Sequence, residues 1–180
     1  IQNIISKCSD KLLEVRNKRE QPGKDDKIIT SWNGLMISAF LAGYRITDDA
    51  KYLDAAKKSI DFFENNFEKN HILHRTFKNN KPKLNGYLDD YAYVANASID
   101  MFENTSEPKY LLFATNLANH LITHFWDDST HGFFFTSDIH EKLIIRPKNN
   151  YDLSMPSGNS VAAHVLLSLH YITQNKQFLE

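Results

Sequence analysis

The chain has 180 residues, 42% hydrophobic and 24% charged, with a formal net charge of -1 at pH 7. This composition reads as one globular domain of ordinary size, and its balanced charge supplies no field that would favour nucleic acid or an anionic membrane. No apolar run approaches the ~18 residues of a membrane span, and the single Cys8 excludes an internal disulfide or CxxC pair and fits a reducing, cytoplasmic setting.

Ile1 to Lys7 lack the basic-then-apolar layout of a signal peptide. Ile4, Ile5, Cys8, Leu12 and Val15 fall near helical spacing with charges between them, which predicts an amphipathic helix closed by Pro22 and Gly23. After a polar loop and the apolar pair Ile28-Ile29, Thr30 or Ser31 is placed to cap a helix carrying Trp32, Leu35, Met36, Ala39 and Phe40. That helix is apolar nearly all round, so it reads as an inner one. Its partner starts at Asp48 or Asp49. It has a stripe of Tyr52, Ala55, Ala56, Phe62, Phe63 and Phe67 opposite a charged face, so it reads as an outer helix.

Residues 72–77 read as a short strand, and Asn79 to Pro82 and Asn85-Gly86 as turns. A second inner helix spans about Asp89 to Asn104. Ser106 then caps an outer helix with Pro108 in its first turn. Gly132 to Thr136 reads as a strand that Lys142-Leu143-Ile144-Ile145 could meet in a hairpin. After an irregular stretch, a third inner helix runs from Ser157 to about Ile172.

These pairs repeat. Ser31-Trp32-Asn33, Asp89-Asp90-Tyr91 and Ser157-Gly158-Asn159 each open an inner helix. Tyr52-Leu53, Tyr110-Leu111 and Phe178-Leu179 follow at the same interval. A fixed interval of this kind marks a repeated supersecondary unit that needs neighbours to bury its inner face. The expected fold is all-α, one domain over 1–180 of repeated helical hairpins within an α/α toroid, with short β-hairpin pieces in the loops. An open α/α solenoid is the alternative. The last run stops just after Phe178-Leu179, which suggests a fragment whose apolar edges would self-associate.

In such a fold the inner helices run the same way, so their N-termini share a rim. Trp32, Asn33, Asp89, Asp90, Tyr91, Ser157 and Asn159 are expected to converge there with Arg75, Asp127, Arg146 and Asp152. Aromatics, carboxylates, arginines and amides around one cleft suit a neutral carbohydrate.

The stretch from Arg16 through Asp25-Asp26-Lys27 to Ser31-Trp32-Asn33-Gly34-Leu35-Met36 resembles the signature of one family. Leu88-Asp89-Asp90-Tyr91-Ala92, Arg146-Pro147-Lys148 and Pro156-Ser157-Gly158-Asn159-Ser160 match in the same order. The family consists of large proteins with a thioredoxin-like N-terminal domain followed by an α/α toroid. The resemblance implies a toroid akin to six-hairpin glycosidases and to the N-acylglucosamine 2-epimerase group, with a thioredoxin-like domain as partner. It implies no proven activity.

Asp90 and Asp89 are the candidate catalytic pair, a general acid or base toward a glycosidic oxygen or water. The alternative makes one Asp the N-cap and the other a solvated first-turn residue. Trp32 and Asn33 are candidate sugar contacts or a core anchor. Arg146, Lys148 and Asp152 form a charged site or a structural ion pair, and Ser157 to Ser160 offer an anion-binding helix start. Tyr91, Arg75, His74 and Asn159 complete the substrate-binding set. Ser157 lacks the GxSxG order of a hydrolase nucleophile, and no P-loop is present. His120 and His124 lack the Glu of HExxH. Neither metal nor cofactor is called for. These residues read as a carbohydrate-active domain, hydrolase-like or epimerase-like. Its rival is a non-catalytic domain binding a partner or glycan.

Overall fold

The structure, a computed structural model, describes residues 1–79, 81–142 and 144–179, with the side chains of 68–70 left out. In chain order it contains α1 (Gln2–Asn17), β1 (Ile28–Ile29), α2 (Thr30–Thr47), α3 (Ala50–Asn70), β2 (His74–Lys78), β3 (Lys81–Asn85), α4 (Leu88–Thr105), α5 (Pro108–Phe125) and α6 (Gly158–Thr173). A 3-10 turn follows at Lys176–Phe178. Helices α2, α4 and α6 lie side by side with α4 in the middle, while α3 packs on α2 and α5 on α4. This is the alternation of inner and outer helices that the repeat predicts. Among the described residues, no helix is long and apolar enough to cross a membrane.

The repeat is chemical as well as geometric. The inner helices end on Asp48, Ser106 and Gln174, all left-handed with φ of 54°, 57° and 57°. Their N–H groups return to Tyr44, Phe102 and His170 carbonyls. Just before each cap, Thr47, Thr105 and Thr173 donate to the carbonyl one turn back. The same hydroxyls accept the N–H of Asp49, Glu107 and Asn175. One threonine thus satisfies groups of both helices in the turn. Ser106 is therefore the C-cap of α4. Glu107 occupies the N-cap position expected for Ser106, with Pro108 opening α5.

The core centres on α4, where Leu88, Ala92, Val94, Ala95, Ala97 and Met101 are fully buried. The outer helices are tied to each other by Phe67 against Phe113 and by Lys109 with Asp61. Two glycines set how closely the inner helices approach α4. A Cβ on Gly34 would lie 2.8 Å from the Tyr93 backbone, and one on Gly158 would lie 2.4 Å from Asp89 Oδ1.

An antiparallel sheet, ordered β1-β2-β3, places Ile28 opposite Phe77, and Thr76 opposite Lys83. The hairpin piece thus lies at 74–85, and Lys81 to Asn85, read partly as a turn, is a strand. Among the described residues the second expected hairpin is not seen. Phe133 bridges Trp126, Phe134 N–H donates to Phe125 and Phe135 N–H to Pro147. Leu143 lies outside the described residues, and Ile144 and Ile145 are exposed without strand pairing. The backbone bonds of 133–135 are made instead with the end of α5 and the 147 loop. Helix α1 forms where predicted, but none of its side chains is buried.

Candidate active site

Asp90 is fully buried and every oxygen is used. Its Oδ1 accepts from Ser31 N–H at 2.8 Å and from Arg75 Nη1 at 2.9 Å, and its Oδ2 accepts from Tyr87 N–H at 2.9 Å. One carboxylate therefore caps the starts of two neighbouring helices, α2 and α4, and pairs with a strand arginine. The expected caps of α2 are overturned. Neither Thr30 nor Ser31 caps by its side chain, because Thr30 Oγ1 donates to His74 O and Ser31 gives its N–H to Asp90. Burial pushes the Asp90 carboxyl up to about 6, against the opposing charge of Arg75 and its hydrogen bonds.

Asp89 is neither the N-cap, which is Tyr87, nor a fully solvated first-turn residue. It is half-buried, and its Oδ1 is shielded from solvent without a hydrogen-bond partner among the described residues. Burial raises its carboxyl, while the charge of Arg75 and the Gly158 backbone pull the other way. Gly158 matters here because any side chain would occupy the carboxylate's place. Asp89 thus sits between the starts of α4 and α6 with spare capacity to hold or accept a proton.

Around this pair, Arg75 also donates to Ser31 Oγ at 3.1 Å and lies over the Tyr87 ring, which stacks on Phe135 at 4.9 Å. Asp152 Oδ1 accepts from Ser157 N–H at 2.7 Å and from Ser160 Oγ at 3.1 Å, which lowers its carboxyl. Ser157 Oγ caps α6 by accepting from Ser160 N–H. This helix start is therefore served by protein groups. Tyr93, one turn beyond Asp89, donates its hydroxyl to Pro156 O. Burial and the nearby Asp89 push that phenol up to about 12.

The other sequence candidates divide. Trp32 is 58% exposed at the start of α2, and Asn33 donates to Ile29 O. Tyr91 points into the core, its hydroxyl accepting from Leu73 N–H and its ring stacked 4.5 Å from His120. His74 is partly buried with an unpartnered Nδ1, and burial lowers its ring. Arg146 donates to Thr136 and His124 carbonyls and covers Phe134. Asn159 brackets Phe133, accepting its N–H and donating to its carbonyl. Lys148 pairs with Asp127 at 2.6 Å. These last residues fasten the 127–149 loop. His120 stacks on Tyr91 while His124 pairs with Asp138 at 2.7 Å. Among the described residues no group of three or more metal-ligating side chains assembles. Tyr87 and Tyr93 were missed because neither stands in a helix-opening triplet, although Tyr93 follows Asp89 at i+4.

The chain is 27% identical over 191 residues to spermatogenesis-associated protein 20 of Homo sapiens, matching along all of its own length and 24% of that protein. It spans about a quarter of such curated relatives. Among solved structures, a GH76 α-mannanase of Bacteroides thetaiotaomicron superposes with a TM-score of 0.71 at 14% identity, covering 89% of this chain and 43% of that one. An inactive variant of the α-1,6-mannanase of Salegentibacter sp. HEL1_6 has two successive aspartates changed to asparagine and is bound to α-1,6-mannotriose. It gives 0.66 at 15% identity, covering 92% and 47%. The cellobiose 2-epimerase of Spirochaeta thermophila gives 0.66 at 12%, covering 84% and 40%. The fold of the chain is that of part of an α/α toroid. Residues 2–180 match the family model of glycosyl hydrolase family 76, and the chain belongs to that family.

Proposed function

We propose that the rim formed by the starts of α2, α4 and α6 acts on carbohydrate, with Asp89 as the proton-transferring group and Asp90 as its positioning residue. The observation that carries this reading is the contrast within the pair. Asp90 is spent on three donors, whereas Asp89 keeps an unpartnered, shielded oxygen and a raised carboxyl. A carboxylic acid whose protonated form is favoured by burial can donate to a leaving glycosidic oxygen and, once ionised, take a proton from water. Arg75, whose charge acts on Asp89, and Trp32, exposed at the start of α2, are the binding groups of this reading. Support comes from the mannanase whose inactive variant alters two successive aspartates, as Asp89-Asp90 are successive here.

The test is turnover of α-1,6-mannotriose and cellobiose by the intact protein and by Asp89→Asn. Loss of about 10²–10⁴ in rate with sugar binding retained is expected for a general acid–base group. Unchanged turnover would remove Asp89 from the mechanism.

Asp90 also favours a second reading, since a fully bonded aspartate serves a scaffold as well as an enzyme. In that case the domain binds a glycan or a thioredoxin-like domain and performs no chemistry. A cytoplasmic location belongs to the same proposal, supported by the composition and the free Cys8. Self-association through the open sides of α2 and α6 is proposed as well, supported by exposed Trp32, Met36, Leu167 and Tyr171. Light scattering at rising concentration reads it, and a constant monomer mass would end that idea.

A further inference from the structure

The entry into α4 is pinned by one N–H after another. Gly86 N–H donates to Leu73 O at 2.7 Å, Tyr87 N–H to Asp90 Oδ2 at 2.9 Å and Leu88 N–H to Phe135 O at 3.0 Å. The three acceptors belong to the segment before β2, to the carboxylate of the site and to the loop after α5. Tyr87 is the middle donor, and its ring is held as closely as its N–H. It stacks on Phe135 with centroids 4.9 Å apart and on His140 with centroids 5.1 Å apart, and Arg75 lies 5.6 Å from its centre. Tyr87 and His140 are half-buried, so this stack stands at the rim and outside the sealed core of α4.

His140 is fixed in turn. The carbonyl of Asn85 can only accept, so His140 Nε2, 3.3 Å away, carries the ring hydrogen. Nδ1 then accepts from Ser137, whose Oγ lies at 2.6 Å and whose N–H lies at 3.2 Å. Ser137 is buried, and its neighbours tie the loop to the end of α5. Asp138 N–H donates to His124 O at 3.0 Å, and Arg146 donates to both the Thr136 and His124 carbonyls. A chain of contacts therefore runs from the last turn of α5, through His140 and Phe135, to the Tyr87 ring and its N–H on Asp90. A ring already stacked on two protein rings is poorly placed to stack on a ligand. What it can do is hold the first turn of α4. Asp89 depends on that turn, because its Oδ1 has no hydrogen-bond partner among the described residues and its place is set by the backbone.

We propose that Tyr87 is a positioning residue for the Asp89–Asp90 pair, and that the loop after α5 holds it there through Phe135 and His140. The stacked ring keeps the Tyr87 N–H on Asp90 Oδ2 and thereby fixes the turn from which Asp89 projects. What the placed carboxyl then does rests on the carbohydrate reading of Asp89; the placement itself is measurable without a sugar.

The test compares the intact protein with Tyr87→Phe, Tyr87→Ala and His140→Ala. Hydrogen exchange is measured over residues 86–90 and, as an internal reference, over 92–101 of the same helix. Turnover of α-1,6-mannotriose is measured alongside. Tyr87→Ala and His140→Ala should speed exchange of 86–90 about tenfold while 92–101 stays protected. Both should lower kcat roughly 10- to 100-fold with KM held. Tyr87→Phe keeps both stacks and should restore both readings. His140 lies in the loop, so its variant carries the test where Tyr87→Ala fails to fold. Exchange of 86–90 that is unchanged in folded His140→Ala, or that rises only together with 92–101, would overturn the positioning role. So would a kcat that is retained while 86–90 exchanges faster. Faster exchange confined to 86–90, in a protein that turns over no sugar even as wild type, would support the placement and end the carbohydrate reading.

Discussion

Helices α4 and α1 make the instructive contrast. Both form where the spacing of apolar residues places them. In α4 eleven residues are buried, among them Leu88, Tyr91, Ala95 and Met101. In α1 none is, and Ile4, Leu12 and Val15 stand 67%, 72% and 55% exposed. Periodicity says where an apolar face lies; it does not say what covers it. Helix α4 has α2, α5 and α6 around it, and its alanines let them come close. Helix α1 is held by its own backbone bonds and by an exposed Glu14–Lys18 pair, which contributes little.

The strongest way to break the contrast is to empty the middle of α4. Tyr91→Ala removes a side chain that is 1% exposed, its hydroxyl's bond to Leu73 and its stack on His120. The expected cost is about 4 kcal/mol, from lost burial and the cavity left behind. Denaturant unfolding checks it. A loss under about 1 kcal/mol would mean that the core does not depend on α4 as its burial implies.

The same contrast explains what the sequence disclosed. The repeat was legible because it is local: Thr47, Thr105 and Thr173 do the same work in each turn, and each lies within a few residues of its partners. The site was half legible. Asp89 and Asp90 were found as a pair at a helix start, but which one is spent depends on Ser31 and Arg75, distant in sequence and adjacent only after folding. Arg146 and Asn159 were expected at the cleft, and they fasten a loop through carbonyls and N–H groups that no side-chain pattern records.

A weaker perturbation uses pH on Asp90. Folded, its carboxyl holds a proton up to about pH 6; unfolded, it releases one near the usual value of about 4. Between those values the folded state binds more protons, so its contribution is fully present below about pH 4 and is lost as pH rises toward 6. Asp90→Asn cannot titrate. The stability of wild type relative to Asp90→Asn should therefore fall by up to about 3 kcal/mol between pH 4 and 6.5. Thermal unfolding of both proteins across that range reads the difference. Parallel curves would show that Arg75 and the N–H donors outweigh burial and keep Asp90 ionised throughout.

The smallest expected effect belongs to α1. Leu12→Ala removes an apolar side chain of the same kind that costs several kcal/mol in a core, but this one is already in water. Only helix propensity changes, and alanine is at least as good a helix former as leucine. The stability of the protein should shift by less than about 0.5 kcal/mol in denaturant unfolding. A loss of 2 kcal/mol or more would mean that α1 is covered in solution. Repeating the measurement at several protein concentrations then separates the possible covers. A cost that grows with concentration assigns the cover to a second copy, and a constant cost assigns it to the same chain.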